Sequence, residues 1–173
     1  MLIDDVTIEV KSGKGGDGIV AFSGIMMKKG PTGASGGNGG SVYFEGVSDL
    51  NALNRMRHQK VFEAEAGQQG KQELNDGRTG KDCIIQIPVG TVINNKTLGI
   101  TEEIVKIGQR VLAAQGGKGG KGNFHFRSST NTTPREFEHG TPAKEYEIHL
   151  ELKLIADVGF IGCEPYVNGI GDL

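Results

Sequence analysis

Glycine recurs at every third position through much of this chain, and that period restricts the fold more than any other feature. Gly30, Gly33, Gly36 and Gly39 stand three apart, with Gly37 and Gly40 in a second register beside them. Gly116, Gly119 and Gly122 repeat the step, as do Gly117 and Gly120, Gly13 and Gly16, Gly15 and Gly18, Gly67 and Gly70, and Gly77 and Gly80. Three residues per turn is the repeat of the left-handed polyproline II helix, which makes no internal hydrogen bonds, and glycine at each third place gives it one side that another backbone can approach closely. Collagen uses three chains for this. The runs here are short, their phase is broken and the chain holds only 5 prolines, so a collagen triple helix does not fit. Several short runs from one chain are expected to pack on each other instead, held mainly by weak contacts from Cα hydrogens to carbonyl oxygens and therefore dependent on a conventional core at their base. The competing reading is four flexible glycine loops.

That core has to come from the segments between the runs. TIEV at 7–10 continues an alternation begun by Val6, IVAF at 19–22 and SVYFE at 41–45 directly follow glycine clusters, and CIIQIPV at 83–89 and RVLA at 110–113 are β-branched or apolar. The clearest alternation spans 145–154. Tyr146, Ile148, Leu150, Leu152 and Leu154 point one way and Glu145, Glu147, His149, Glu151 and Lys153 the other, as in a strand with one buried and one wet face. Only 49–57 reads as helical. The fold expected is mainly β: a small β-barrel or sandwich base carrying a bundle of glycine-rich left-handed polyproline-II-type helices.

A chain of 173 residues has room for one domain and the start of a second. No apolar run approaches the length a bilayer requires, and Asp4 and Asp5 stand where a secretory leader would carry basic residues. A cytoplasmic protein without membrane contact is expected. Cys83 and Cys163 read as reduced thiols acting as small apolar residues. His58, His125, His139 and His149 have no spacing that would put two imidazoles on one metal, so no metal site is expected, and His149 reads as a solvated surface histidine.

Charge is unevenly placed. The net charge is -2, which argues against a nucleic-acid binder, yet the glycine regions 12–40, 67–81 and 115–127 carry a net +6 and the remainder −8. Lysines on exposed glycine-rich backbone can meet phosphates, with unpaired backbone amides as further donors. Solubility is the plainer reading of the same lysines. Phe124 and Phe126 flank His125 beside the last basic cluster and read either as base-stacking rings or, by preference, as buried anchors of the loop.

After the long strand, LIADVGFIG at 154–162 changes to a continuous apolar run containing Asp157, the way a buried parallel strand opens a nucleotide-binding α/β domain. A phosphate loop opening at Gly162 would need glycine, lysine and a hydroxyl residue where Val167, Asn168 and Gly169 stand. No Walker A lysine is read here, so no catalytic residue is assigned and this chain is not expected to hydrolyse GTP.

GKGGDG at 13–18 with VAF at 20–22, Gly30-Pro31 and the glycine run after it, PVGTV at 88–92, GGKGGKGN at 116–123 and LELKLIADVG at 150–159 together carry a specific resemblance. From about residue 1 to Gly162 the chain is similar to the N-terminal domain of the Obg family of bacterial ribosome-associated GTPases. The resemblance implies glycine-rich left-handed helices on a small β-barrel, followed in full-length members by a Ras-like GTPase domain that uses GTP and Mg²⁺. It also implies binding to the large ribosomal subunit during its assembly, with the tips of the glycine domain reaching ribosomal RNA near the peptidyl-transferase centre. Two departures touch that expectation: SGIMM at 23–27 replaces a segment usually rich in arginine and lysine, and Ala34 and Ser35 interrupt the glycine run. Residues 1–156 are expected to form the Obg domain and 157–173 the first strand and an aberrant remnant of the GTPase domain, left by a truncation, a frameshift or a chosen end. No cofactor is expected in this chain itself.

The function expected is a non-catalytic docking domain for the large ribosomal subunit and its rRNA, acting as a monomer. Lys28, Lys29, Arg78, Lys118, Lys121 and Arg127 are expected on phosphate, and Gly30, Gly33, Gly36, Gly39, Gly116, Gly119 and Gly122 are expected to keep the helices packed. The alternative is a protein-interaction or regulatory module that docks on a partner GTPase or stress-response protein.

Overall fold

A computed structural model describes residues 4–24 and 30–153. Strands β1 (Asp5–Lys11), β3 (Val61–Glu63), β5 (Thr91–Asn95), β6 (Ile100–Glu103) and β8 (Glu145–Leu152) form one sheet in the order β3-β1-β8-β5-β6. Strands β2 (Val42–Val47), β4 (Cys83–Pro88) and β7 (Arg110–Ala114) form a second, in the order β4-β2-β7. The alternation at 145–154 explains why β8 holds the centre of the larger sheet: Ile148, Leu150 and Leu152 are buried in one row. Its antiparallel register sets Ile8 opposite Ile148 and Val6 opposite Leu150, so β1 buries the same face. Val42 and Phe44 of β2, Ile85 and Ile87 of β4 and Val111 of β7 join these residues in one apolar cluster. The base is thus two separate sheets around a shared core, the sandwich rather than the barrel. Full burial of Phe44 alone is worth about 1.5–3 kcal/mol.

Helical structure at 49–57 takes the tighter 3-10 form, Leu50–Arg57, with the Asp49 carboxylate accepting from the Asn51 N–H at 2.9 Å and with Leu53 and Met56 in the core. The stretch 19–22 differs from expectation. It is not a strand; Phe22 makes a single bridge to Pro31, while the Ile19 N–H goes to Ala34 and the Ala21 carbonyl receives the Thr32 N–H. Leu154 lies outside the described residues, as do the rest of 154–162, the region 157–173 and Cys163.

The strand registers dictate where the glycine runs go. Lys11 stands opposite Glu63 and Glu145 at one end of the larger sheet, and Val42 opposite Cys83 and Ala114 at one end of the smaller. Six chain segments therefore leave or enter the sandwich at those ends: I (12–19), II (32–40), III (64–71), IV (76–82), V (115–123) and VI (137–144). Hydrogen bonds cross between them at every third residue. Gly13, Gly16 and Ile19 of I donate to Gly40, Gly37 and Ala34 of II; Ala34, Gly37 and Gly40 donate in turn to Lys71, Gln68 and Glu65 of III; Gly67 and Gly70 of III donate back to Lys14 and Asp17 of I. This closes a triangle. The same pattern joins II, III and IV, then I, II and V, then I, V and VI, so the six segments stand in two rows, IV-II-V and III-I-VI. Rising or falling partner numbers show that I, III and V run outward from the sandwich and II, IV and VI return to it.

These bonds, 2.8–3.2 Å long between segments I, II and III, correct the expectation of weak Cα–H contacts. A polyproline II strand spends none of its amides internally, so each N–H is free for a neighbour. The glycines are required for space. A Cβ on Gly33, Gly36, Gly39, Gly116, Gly119 or Gly122 would overlap a backbone carbonyl of an adjoining segment, whereas among the described residues the glycines with φ in the left-handed region are Gly90, Gly99 and Gly108, in turns of the sandwich. Gly30 is the exception among the named glycines. It lies before segment II, and a Cβ there would meet nothing within 4 Å, so it has no packing role in the bundle.

Candidate nucleic-acid interface

Four of the six named basic residues can be placed; Lys28 and Lys29 lie outside the described residues. Arg78 is on segment IV, Lys118 and Lys121 are on V, and Arg127 follows the distal 3-10 turn Asn123–Phe126. All four are exposed. Lys118 and Lys121 are one polyproline turn apart and share a side of V, but segment II separates them from Arg78 and Arg127 stands apart at the distal end. They form no single patch. Lys121 pairs with Glu138 of segment VI at 3.9 Å, and among the described residues Arg78, Lys118 and Arg127 have no ion-pair partner.

Backbone amides are less available than the sequence suggested. Side chains take many that the lattice leaves over: Asn38 Oδ1 accepts from Gly119 (2.9 Å), Thr141 Oγ1 from Lys118 (2.7 Å), Asp76 Oδ1 from Ser35 (3.0 Å) and Asp82 Oδ1 from Ser41 (2.7 Å). The carboxylates that cap these amides also dilute the positive field of the lysines. The cations this surface offers to an anion are therefore its exposed side chains.

Asp17 shows what such a cap does. Its Oδ1 accepts from the Gly140 N–H at 2.8 Å, and the carboxylate pairs with Lys14 (3.7 Å) and His139 (3.5 Å), tying segment VI to segment I. The Gly140 amide holds this carboxyl below its ordinary 3.8, against a smaller opposing effect of burial, with Lys14 and His139 pulling the same way as the amide. Because the folded value is depressed, the unfolded chain binds more protons in that window. The contribution is present at neutral pH and is lost as the pH falls below about 4 through the folded value. Asp17→Asn keeps an acceptor oxygen but loses the charge. At pH 6 it is expected to be less stable than the parent by no more than about 1 kcal/mol, and the difference should be smaller at pH 3. Urea unfolding at both pH values measures it, and a difference that persists undiminished in acid would contradict the assignment.

One buried polar residue went unread in the sequence. Asn123 ends the GGKGGKGN run and is fully buried. Its Oδ1 accepts from the Gly33 N–H (2.8 Å) and the Ala21 N–H (3.4 Å), while its Nδ2 donates to the carbonyls of Ala21 (3.1 Å) and Pro134 (3.0 Å). Segments I, II, V and the approach to VI thus meet on one side chain. The available signal was an asparagine at the step where the next glycine would complete a pair. The ring beside it also differs from expectation: Phe124 is exposed and Phe126 half-buried, so Phe124 is not a buried anchor.

Among the described residues no helix is long and apolar enough to cross a membrane. The family model described as GTP1/OBG matches residues 3–154. A protein of Persephonella marina named GTPase Obg is 46% identical over 163 residues, covering 92% of this chain and 48% of that protein. A GTPase Obg of Lactobacillus helveticus is 42% identical over 163 residues, covering 92% of this chain and 38% of its own length. The chain thus spans about half, or less, of the relatives it matches.

Proposed function

Because the chain belongs to the GTP1/OBG family, which it matches along most of its length, we propose that it is the non-catalytic docking domain of an Obg-type GTPase, seated on rRNA of the large ribosomal subunit during assembly. The observation that carries this reading is the hydrogen-bonded lattice of glycine segments presenting Arg78, Lys118 and Arg127 exposed and, among the described residues, without ion-pair partners. A fixed scaffold holds cations in position, and phosphate contact by such cations supplies affinity that falls with salt. GTP belongs to the activity in the relatives' names, GTPase Obg, and Mg²⁺ is implied by the family resemblance alone. Among the described residues no group of three His, Cys, Asp or Glu side chains could hold a metal ion, and no hydrolytic step is assigned to them.

Co-sedimentation with separated ribosomal subunits, at low and at moderate salt, tests the proposal. The chain is expected to pellet with the large subunit and not the small one. Each phosphate contact contributes about 0.7–0.9 to the slope of log affinity against log salt, so three contacts predict a loss of about tenfold on raising salt about two- to threefold. Binding that ignores salt would favour an apolar protein interface, and no binding would remove the reading.

A further inference from the structure

We propose that the distal end of the bundle is a base-stacking face, built from Phe22, Phe124 and Phe137, that takes unstacked nucleobases of single-stranded RNA; this rests on the RNA-docking reading above. Phe22 is 43% exposed, Phe124 37% and Phe137 41%, and by the hydrogen-bond register all three stand at or next to the distal ends of segments I, V and VI. Phe44, by contrast, is fully buried in the core and Phe62 packs against it. Nothing in that core accounts for the three distal rings, since the buried apolar cluster lies in the sandwich.

Their backbone is fixed. Asn123 binds both peptide groups of Ala21, next to Phe22, is itself next to Phe124, and reaches the Pro134 carbonyl on the approach to Phe137. Edge-on imidazoles set the attitude of two rings: His125 lies 6.0 Å from Phe124 and His139 4.9 Å from Phe137. A second observation marks the same end. Glu73 and Leu74 have φ of 60° and 59°, a left-handed pair without glycine, imposed in part by the Leu74 N–H bond to Thr32 at 3.0 Å. Such strain persists where surroundings impose it and clusters at ligand-contacting sites. Here it leaves Leu74 49% exposed.

Two cations stand close in sequence to the rings. Arg127 follows Phe124 and Arg135 precedes Phe137, both exposed and neither with an ion-pair partner among the described residues. Rings and guanidinium groups at one end of the bundle supply π-faces for bases and cations for phosphates, the two things a single strand offers. A duplex hides its base faces. Glu73 and Glu136 also stand at this end, so net charge alone would attract a polyanion poorly, and the rings supply the difference.

The test is a fluorescence titration of the whole chain with a single-stranded RNA of about 12 nucleotides carrying 2-aminopurine, a length within the usual site size. The triple variant F22L/F124L/F137L keeps apolar bulk and loses the π-faces; F22Y/F124Y/F137Y keeps the faces. The leucine triple is expected to lose about tenfold or more in affinity and most of the stacking quench, the tyrosine triple to stay within about twofold, and a duplex of equal length to bind more weakly. Circular dichroism checks folding, and single leucine variants carry the measurement if the triple does not fold. A leucine triple that binds like the parent, a duplex that binds equally well, or no binding of the single strand by the parent would each overturn the inference. Subunit co-sedimentation without single-strand binding would retire the stacking face alone; single-strand binding without co-sedimentation would retire the ribosomal reading alone.

Discussion

Gly36→Val is expected to release the glycine bundle while leaving the sandwich folded, and Gly36→Ala to do nearly as much damage. The reason is that the offending atom is the Cβ itself, which would overlap the carbonyl carbon and oxygen of Gly16 in the adjoining segment. A crowded side chain can change rotamer; a backbone carbonyl can only move with its chain. Moving segment II away from I and V breaks the bonds from Gly36 to Gly120 and from Gly16 to Gly37, and strains that from Gly119 to the Asn38 side chain. At about 1 kcal/mol for each, with overpacking of about 1–3 kcal/mol added, the loss is on the order of 3–5 kcal/mol. Hydrogen exchange reads it directly. Amides of segments I, II and V should exchange about a hundredfold faster or more, since 1.36 kcal/mol is a factor of ten, while those pairing β1 with β8 keep the parent's rates. Gly30→Ala is the control, because a Cβ there meets nothing within 4 Å. Unchanged exchange in Gly36→Ala, or equal damage from Gly30→Ala, would show that the lattice is not what orders these segments.

Period decided how much of the fold was legible in the sequence. Glycine at every third place carried the bundle, and strict alternation carried β8 with its buried Ile148, Leu150 and Leu152, because both patterns are one-dimensional records of which side of a chain faces a neighbour. The short strands β3, β5 and β6 hold three to five residues, too few for a period to show. IVAF at 19–22 has strand composition but continues the outgoing segment I, where partners rather than propensity decide. Segment VI escaped for a related reason: Gly140 is its one glycine, because VI belongs to a single triangle, whereas the Gly-Gly pairs of I, II and V serve segments shared by two or more. The site was less legible than the fold. Lysine and arginine could be counted along the chain, but that Arg78 and Lys118 stand on opposite flanks of one row, and that aspartates occupy the amides between them, depends on how six segments meet.

Asn123→Ala should be the most damaging single change at the distal end. It would leave the Gly33 and Ala21 amides and the Pro134 carbonyl without their partner in a site with no solvent exposure. Each stranded group costs about 1–3 kcal/mol, so a total of about 4 kcal/mol is expected, read as fast exchange and early proteolysis of residues 19–34 and 123–137 with β1 and β8 still protected. Asn123→Asp separates hydrogen bonding from size. The carboxylate still accepts from Gly33, but its second oxygen faces the carbonyls of Ala21 and Pro134, where the amide had donated. Burial and those carbonyls both disfavour the charged form, so the folded pKa of the new carboxyl rises above the ordinary value of about 3.9. The folded state then holds the proton more tightly, and the variant's deficit relative to the parent shrinks as the pH falls toward 4, where a protonated oxygen can donate again. This is the reverse of the trend expected for Asp17, whose depressed carboxyl loses its contribution in acid. Urea unfolding of parent, Asn123→Ala and Asn123→Asp at pH 7 and pH 4.5 tests it: only the aspartate variant should recover in acid, and equal, pH-independent losses in both would mean that Asn123 holds the distal segments by shape rather than by its four hydrogen bonds.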